Sequence, residues 1–265
     1  VARSRQSAVT IGAYDGVHLG HRRVIETVRA LALDRGLGSV VVTFDRHPAS
    51  VVRPESAPRL LTDLEHKLEL LTSLGVDAVE LVHFDETRSS ETAEEFVDDV
   101  LVGGLGARVV VVGRDFHFGK GRGGNVALLE EMGGPRGFSV VPFDLVDDEA
   151  RHEVVSSTRI RGLVASGCLG EAASLLARPH EVRGVALPDD GAGQVVRVAA
   201  EMLLPPPGTY RAEVGLVGGE ALRAATAEVG GAAGGRSDEA QLVTVAGLED
   251  ALPQGRRVRL LFPAD

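Results

Sequence analysis

The chain has 265 residues, 44% of them hydrophobic, and a formal net charge of −10. That length allows one large domain or two modest ones with a proper core. The acidic balance argues against a nucleic-acid groove, no apolar run is long enough to span a membrane, and the single Cys168 excludes an internal disulfide and fits a reducing cytoplasm.

The opening Val-Ala-Arg-Ser-Arg lacks an initiator Met and any apolar stretch, and reads as a trimmed start rather than a signal peptide. Ala8 to Ile11 predicts a short strand. His21 to Arg35 predicts a helix with Val24, Ile25, Val28, Leu31 and Ala32 on one face. Ser39 to Phe44 is a continuous apolar strand of the kind buried on both faces of a parallel sheet. Thr62 to Leu74 predicts a helix with Thr62 as N-cap and Glu65 completing a capping box. A strand over Val79 to Phe84, a helix over Thr92 to Leu101 and an apolar strand over Arg108 to Val112 come next. Gly124 to Met132 predicts a short helix, Ser139 to Phe143 a strand, and Ser157 to Ala165 and Leu169 to Ala177 two more helices. This alternation predicts an α/β fold with a doubly wound parallel sheet.

The texture changes after Pro179. Turn clusters at 188–191, 205–208 and 230–235 separate short strands at Glu181 to Ala186, Gln194 to Ala199, Thr209 to Leu216, Leu242 to Val245 and Arg256 to Phe262. A small β-rich domain over 179–265 is expected to follow a first domain over 1–178. The glycine run at 230–235 has no following Lys-Ser/Thr and reads as a loop, not a phosphate cradle.

Four motifs share one placement, the C-terminal end of a strand or the N-terminal end of a helix, where open α/β sheets bind ligands. Gly12-Ala13-Tyr14-Asp15-Gly16-Val17-His18-Leu19-Gly20-His21 runs from a strand through a glycine turn into a helix. There, backbone N–H groups and the helix dipole favour a triphosphate, and histidine adds donors that strengthen as negative charge builds. Val154 to Arg161 offers Ser156 or Ser157 as a helix cap, with hydroxyls suited to phosphate oxygens and Arg161 suited to a leaving group. The same residues also read as a plain cap with solvated arginines. Val112 to Asn125 mixes glycines with Phe116 and Phe118, in a chain with only 8 Phe, 2 Tyr and no Trp. Those rings read as stacking faces, as core plugs, or as both. Thr43-Phe44-Asp45-Arg46-His47-Pro48 closes the second strand. Basic residues gather at Arg22-Arg23, Arg114 to Arg122 and Arg151 to Arg161, which in an acidic chain suits a compact anionic ligand.

Taken together, GAYDGVHLGH (12–21), TFDRHP (43–48), RLLTDLEHKLELL (59–71), VGRDFHFGKGRGGN (112–125) and VSSTRIR (155–161) resemble the bacterial bifunctional riboflavin kinase/FAD synthetases. The resemblance lies in their N-terminal FMN adenylyltransferase module, a Rossmann-like nucleotidylyltransferase domain, and covers about Val9 to Arg183. It implies a cytoplasmic enzyme that joins ATP and FMN, with Mg²⁺, into FAD and pyrophosphate by in-line attack, with small-molecule substrates and no nucleic-acid or membrane partner. On this mapping His18, His21 and Arg161 are catalytic. Gly12, Ala13, Tyr14, Asp15, Gly20, Ser156, Ser157 and Thr158 complete the ATP site. Phe44, His47, Pro48, Asp115, Phe116, Phe118 and Asn125 lie toward the flavin. Metal ligands and oligomeric state are not assigned.

The chain also departs from the family. Tyr14 stands where Phe is usual, and Asp45-Arg46 stands where Glu-Pro is usual. The kinase domain's Gly-Phe-Pro-Thr-Ala-Asn stretch is missing, and Gln194 to Leu204 occupies its place. The resemblance therefore implies that the C-terminal domain is a shortened, barrel-like remnant in which riboflavin kinase activity is expected to be absent. Two other readings stay open: transfer of a nucleotidyl group to another phosphorylated acceptor in specialised metabolism, and a non-catalytic flavin- or nucleotide-binding protein.

Overall fold

A computed structural model describes residues 6–144, 147–148, 153–188, 194–230 and 240–264 of the chain. The start at 1–5, most of the 188–191 turn, the glycine run from 231 and Arg151 lie outside the described residues. The chain packs as two compact units, one from residues up to Pro58 with Leu64–Val155, the other from Arg59–Asp63 with Ser156–Asp265. The units divide the chain before the two helices that follow Ser156, where the sequence reading divides it after them.

The first unit runs β1 (Ser7–Ile11), α1 (Leu19–Arg35), β2 (Gly38–Phe44), α2 (Pro48–Val52), α3 (Leu64–Ser73), β3 (Ala78–Val82), α4 (Glu86–Ser89), α5 (Ala93–Phe96), β4 (Ala107–Gly113), α6 (Val126–Arg136) and β5 (Ser139–Phe143). A short hairpin of β6 (Asp147–Asp148) and β7 (Glu153–Val154) closes it. The five long strands form one parallel sheet in the order β3-β2-β1-β4-β5. The apolar runs are explained by burial on both faces. In β4, Val109 and Val111 pack toward Val24, Ile25 and Val28 of α1, while Val110 and Val112 pack toward Phe96, Leu101 and Leu129. The strand order reverses between β1 and β4, and the crevice beyond the C-terminal ends at such a reversal is where open α/β sheets generally bind ligands.

Several boundaries differ from expectation. The first helix starts at Leu19, because the His18 side chain caps it. Its far end is closed by Gly36 at φ 65°. α3 starts at Leu64, so the residue before its first turn is Asp63 and not Thr62. β3 stops at Val82, because the Phe84 N–H turns to the Asp45 carboxylate at 2.9 Å. The helix expected over Thr92 to Leu101 is capped by a Thr92/Glu95 box and continues as a π-helix over Val97–Gly104.

The second unit holds α7 (Ser157–Ala165), α8 (Leu169–Leu176) and strands β8 (His180–Ala186), β9 (Gln194–Val198), β10 (Gly208–Leu216), β11 (Arg223–Val229), β12 (Gln241–Ala246) and β13 (Arg257–Phe262). The strands close an antiparallel barrel in the order β10-β11-β12-β9-β8-β13. Alternate side chains such as Val196, Val198, Ala212, Val214, Val258 and Leu260 are fully buried and fill it. Segment Arg59–Asp63 joins this unit through Leu60, which bridges to Met202, and through an Arg257–Asp63 ion pair at 2.9 Å. No described helix is long and apolar enough to cross a membrane.

Candidate active site

The turn between β1 and α1 holds backbone that side chains rarely adopt. Tyr14, Gly16 and Val17 have φ of 51°, 85° and 40°. For a β-branched residue such as Val17 this is a strained conformation, and strain of this kind concentrates at binding sites. The turn delivers His18 to the N-terminus of α1, 4% exposed, where its Nδ1 accepts from the His21 N–H at 3.4 Å. Acceptance at Nδ1 leaves the proton of a neutral ring on Nε2, which is then a donor. The His21 ring stacks on the His18 ring, centroids 3.6 Å apart, and meets the Tyr14 ring edge at 4.9 Å. Gly20 permits this, since a Cβ there would lie 3.2 Å from the His18 ring. Two imidazoles are thus gathered at a helix N-terminus, where the helix dipole favours an anion.

Tyr14 faces inward. It is 3% exposed, and its hydroxyl shares a 2.7 Å hydrogen bond with Thr10 Oγ1. Burial pushes its phenol well above the usual tyrosine range. Asp15 is also buried.

At the end of β2, the Asp45 carboxylate is engaged by the Phe84 N–H and by His83 Nδ1 at 2.5 Å, with Arg46 Nε at 3.8 Å. Burial opposes its charge, yet these partners together hold its pKa below the usual carboxylate range. His47 caps α2, its Nδ1 accepting from the Ala49 N–H at 3.1 Å, and Pro48 takes the first helical position. Phe44 meets Phe84 edge-on at 5.3 Å.

The loop after β4 stacks Phe116 on Phe118 at 5.3 Å. Both rest, with Phe44, on one core cluster, so the rings serve partly as plugs. Phe118 pairs with Gly124 through two backbone hydrogen bonds of 3.1 and 2.9 Å. A Cβ on Gly124 would lie 2.5 Å from that of Ala93, so glycine lets the loop seat on α5. Asp115 is exposed, and Asn125 caps α6 by accepting from the Leu128 N–H at 3.0 Å.

The sequence reading passed over Lys67. On α3 it is 8% exposed, and its Nζ donates to Phe44 O at 2.7 Å and Ala13 O at 3.4 Å. Burial holds its pKa below the usual lysine range, while Asp15 and Asp45 pull it upward. The signal lay in the helix: Lys67 is four residues before Leu71, which is fully buried, so a lysine occupies the apolar stripe.

The other residues that the sequence reading expects at ATP stand in the second unit. Ser156 caps α7, its Oγ accepting from the Arg159 N–H at 3.2 Å, and Ser157 and Thr158 form the first turn. Arg161 Nε donates to Arg59 O at 2.8 Å, and Arg59 Nη1 donates to Ala200 O at 2.7 Å. Among the described residues no group of three or more His, Cys, Asp or Glu is placed to hold a metal ion.

Comparison with known proteins decides what this arrangement belongs to. A family model described as FAD synthetase matches residues 1–159. The chain belongs to the FAD synthetase family. It is 35% identical over 188 residues to the bifunctional riboflavin kinase/FMN adenylyltransferase of Escherichia coli K12, covering 71% of this chain and 59% of that protein. The namesake from Buchnera aphidicola is 31% identical over 178 residues, 67% of this chain and 57% of the relative. That of Bacillus subtilis 168 is 31% identical over 220 residues, 79% and 68%. The matches to the E. coli and Buchnera proteins thus span less than three fifths of those relatives' length. A crystal structure titled as a macrolide-efflux protein from Streptococcus pneumoniae superposes with a TM-score of 0.79 at 24% identity, covering 98% of this chain and 84% of that one. That likeness establishes a shared fold. The FAD synthetase family thus combines here a parallel α/β sheet unit with a six-stranded barrel.

Proposed function

We propose that this member of the FAD synthetase family is an FMN adenylyltransferase, converting ATP and FMN into FAD and pyrophosphate. The observation that carries the proposal is the stacked His18–His21 pair at the N-terminus of α1. A phosphate oxygen of FMN attacks the α-phosphorus of ATP. One P–O bond forms as the bond to pyrophosphate breaks, and pyrophosphate leaves with the bonding electrons. No covalent enzyme intermediate is required, so positioning and charge stabilisation carry the catalysis. The Nε2 donor of His18 and the imidazole of His21 stabilise the charge that grows on the α- and β-phosphates. Mg²⁺, brought with ATP, would neutralise charge on the phosphates, and no residue of this chain is assigned to hold it. The resemblance gives Ser157, Thr158 and Arg161 to the β- and γ-phosphates. Within the second unit, the positive end of the α7 dipole at its Ser156-capped N-terminus supports that role. Phe44, His47, Phe116 and Phe118 are proposed for the flavin side.

Riboflavin kinase activity is proposed to be absent. Where the kinase stretch is expected, β9 places Val196 and Val198 in the barrel interior, and an apolar strand supplies no phosphate donors. The test is product analysis by mass. Purified protein with FMN and Mg-ATP is expected to yield FAD, and with riboflavin and Mg-ATP to yield no FMN. Formation of FMN would refute the second clause.

A second reading, transfer to another phosphorylated acceptor, is favoured by Asp45, which is committed to His83 and Phe84, and by the exposed Arg46 beside it. Equal or faster turnover of a non-flavin phosphate in an acceptor panel would favour it.

A further inference from the structure

Lys67 has no task in the proposed reaction. Its Nζ donates to the carbonyls of Phe44 and Ala13. Ala13 lies in the turn that delivers His18, and Phe44 ends β2 and opens the segment leading to His47. One ammonium therefore ties together the two segments that the proposed reaction gives to the donor triphosphate and the acceptor. Asp15 on one segment and Asp45 on the other both act on its charge. A buried ammonium is costly, and an apolar side chain of similar volume at such a position is often neutral or stabilising. The fold alone therefore does not call for lysine on the stripe that holds Leu71.

The contacts also set direction. The Ala13 carbonyl accepts a second bond, from Thr43 Oγ1 at 3.3 Å. Every described peptide is trans, so a carbonyl and the N–H of the same peptide point opposite ways. Holding Ala13 O toward Lys67 turns the Tyr14 N–H away from it. The Phe44–Asp45 peptide obeys the same rule: Phe44 O meets Lys67 while the Asp45 N–H donates to Val82 O at 3.1 Å. The strained backbone at Tyr14 and Val17 persists only where its surroundings over-determine it, and Lys67 is one such constraint.

We propose that Lys67 is a positioning residue that locks the donor turn and the acceptor segment in one register, so that its loss slows turnover and weakens both substrates together. The proposal rests on the functional reading above.

The test uses the full chain with Lys67→Met, which keeps the stem and removes charge and donors, and Lys67→Gln, which keeps one donor amide. The Met variant is expected to fold, to lose about tenfold or more in kcat for FAD formation, and to raise the KM for ATP and for FMN together. The Gln variant is expected to recover part of both. A lowered melting temperature with unchanged kcat and KM per folded molecule would overturn the proposal, as would failure of both variants to fold. If the wild-type chain makes no FAD, the functional reading fails and Lys67 is judged by calorimetric titration with a non-hydrolysable ATP analogue. Affinity weakened about tenfold in Lys67→Met then supports the positioning role. Unchanged affinity, or no binding by the wild type, overturns it.

Discussion

Two aromatic neighbours in the β1–α1 turn have separable duties. His21 presents its ring beside the capping His18, so its loss removes the proposed charge-stabilising donor while the cap stays in place. His21→Ala is expected to cut turnover by about 10²-fold or more with a small change in melting temperature. Near-normal steady-state turnover would remove the residue from the mechanism. Tyr14→Phe, by contrast, leaves a buried Thr10 hydroxyl without its 2.7 Å partner. It is expected to cost about 1 kcal/mol in denaturant unfolding and to leave kcat unchanged. The histidines were legible in the sequence because glycines and a strand–helix junction framed them. Lys67 was not, because a lysine in Glu-His-Lys-Leu-Glu is ordinary until the helix face it shares with Leu71 is considered. The inward turn of the Tyr14 hydroxyl was likewise hidden, since nothing local marks Thr10 as its partner.

Among the elements, Asn125 is both a proposed flavin neighbour and the cap of α6. The two roles separate by substitution. Asn125→Ala is expected to lower stability by about 1 kcal/mol, whereas Asn125→Ser, which preserves the cap, is expected to unfold like the wild type. If the amide also meets the flavin, the Ser variant raises the KM for FMN without a stability change. An unchanged KM would leave Asn125 a cap only. The central strands β1, β2 and β4 were readable because burial on both faces favours continuous apolar residues. β11 was not, because Arg-Ala-Ala-Thr-Ala-Glu-Val has weak strand propensity and forms through pairing with β10 and β12. The start of α3 was misplaced because Thr62 and Glu65 have capping-box spacing, while segment Arg59–Asp63 belongs to the second unit. Helix α6 outran its expected end because Gly133 and Gly134 read as a stop, whereas Gly137 at φ 77° closes it.

Across the whole molecule, the parallel sheet with ligand motifs beyond its strand ends, and a β-rich C-terminal part, followed from periodicity and turn chemistry. Closure of that part into a barrel was implied by the family resemblance and not by periodicity, because it depends on β10 pairing with β13 across a long stretch of sequence. The central claim is that the β1–α1 turn grips a nucleoside triphosphate while His18 and His21 steady the phosphorus under attack. The most direct measurement is a crystal structure of the chain with a non-hydrolysable ATP analogue. The account predicts an α-phosphate oxygen within hydrogen-bond distance of both imidazoles. A triphosphate bound away from both rings would contradict it.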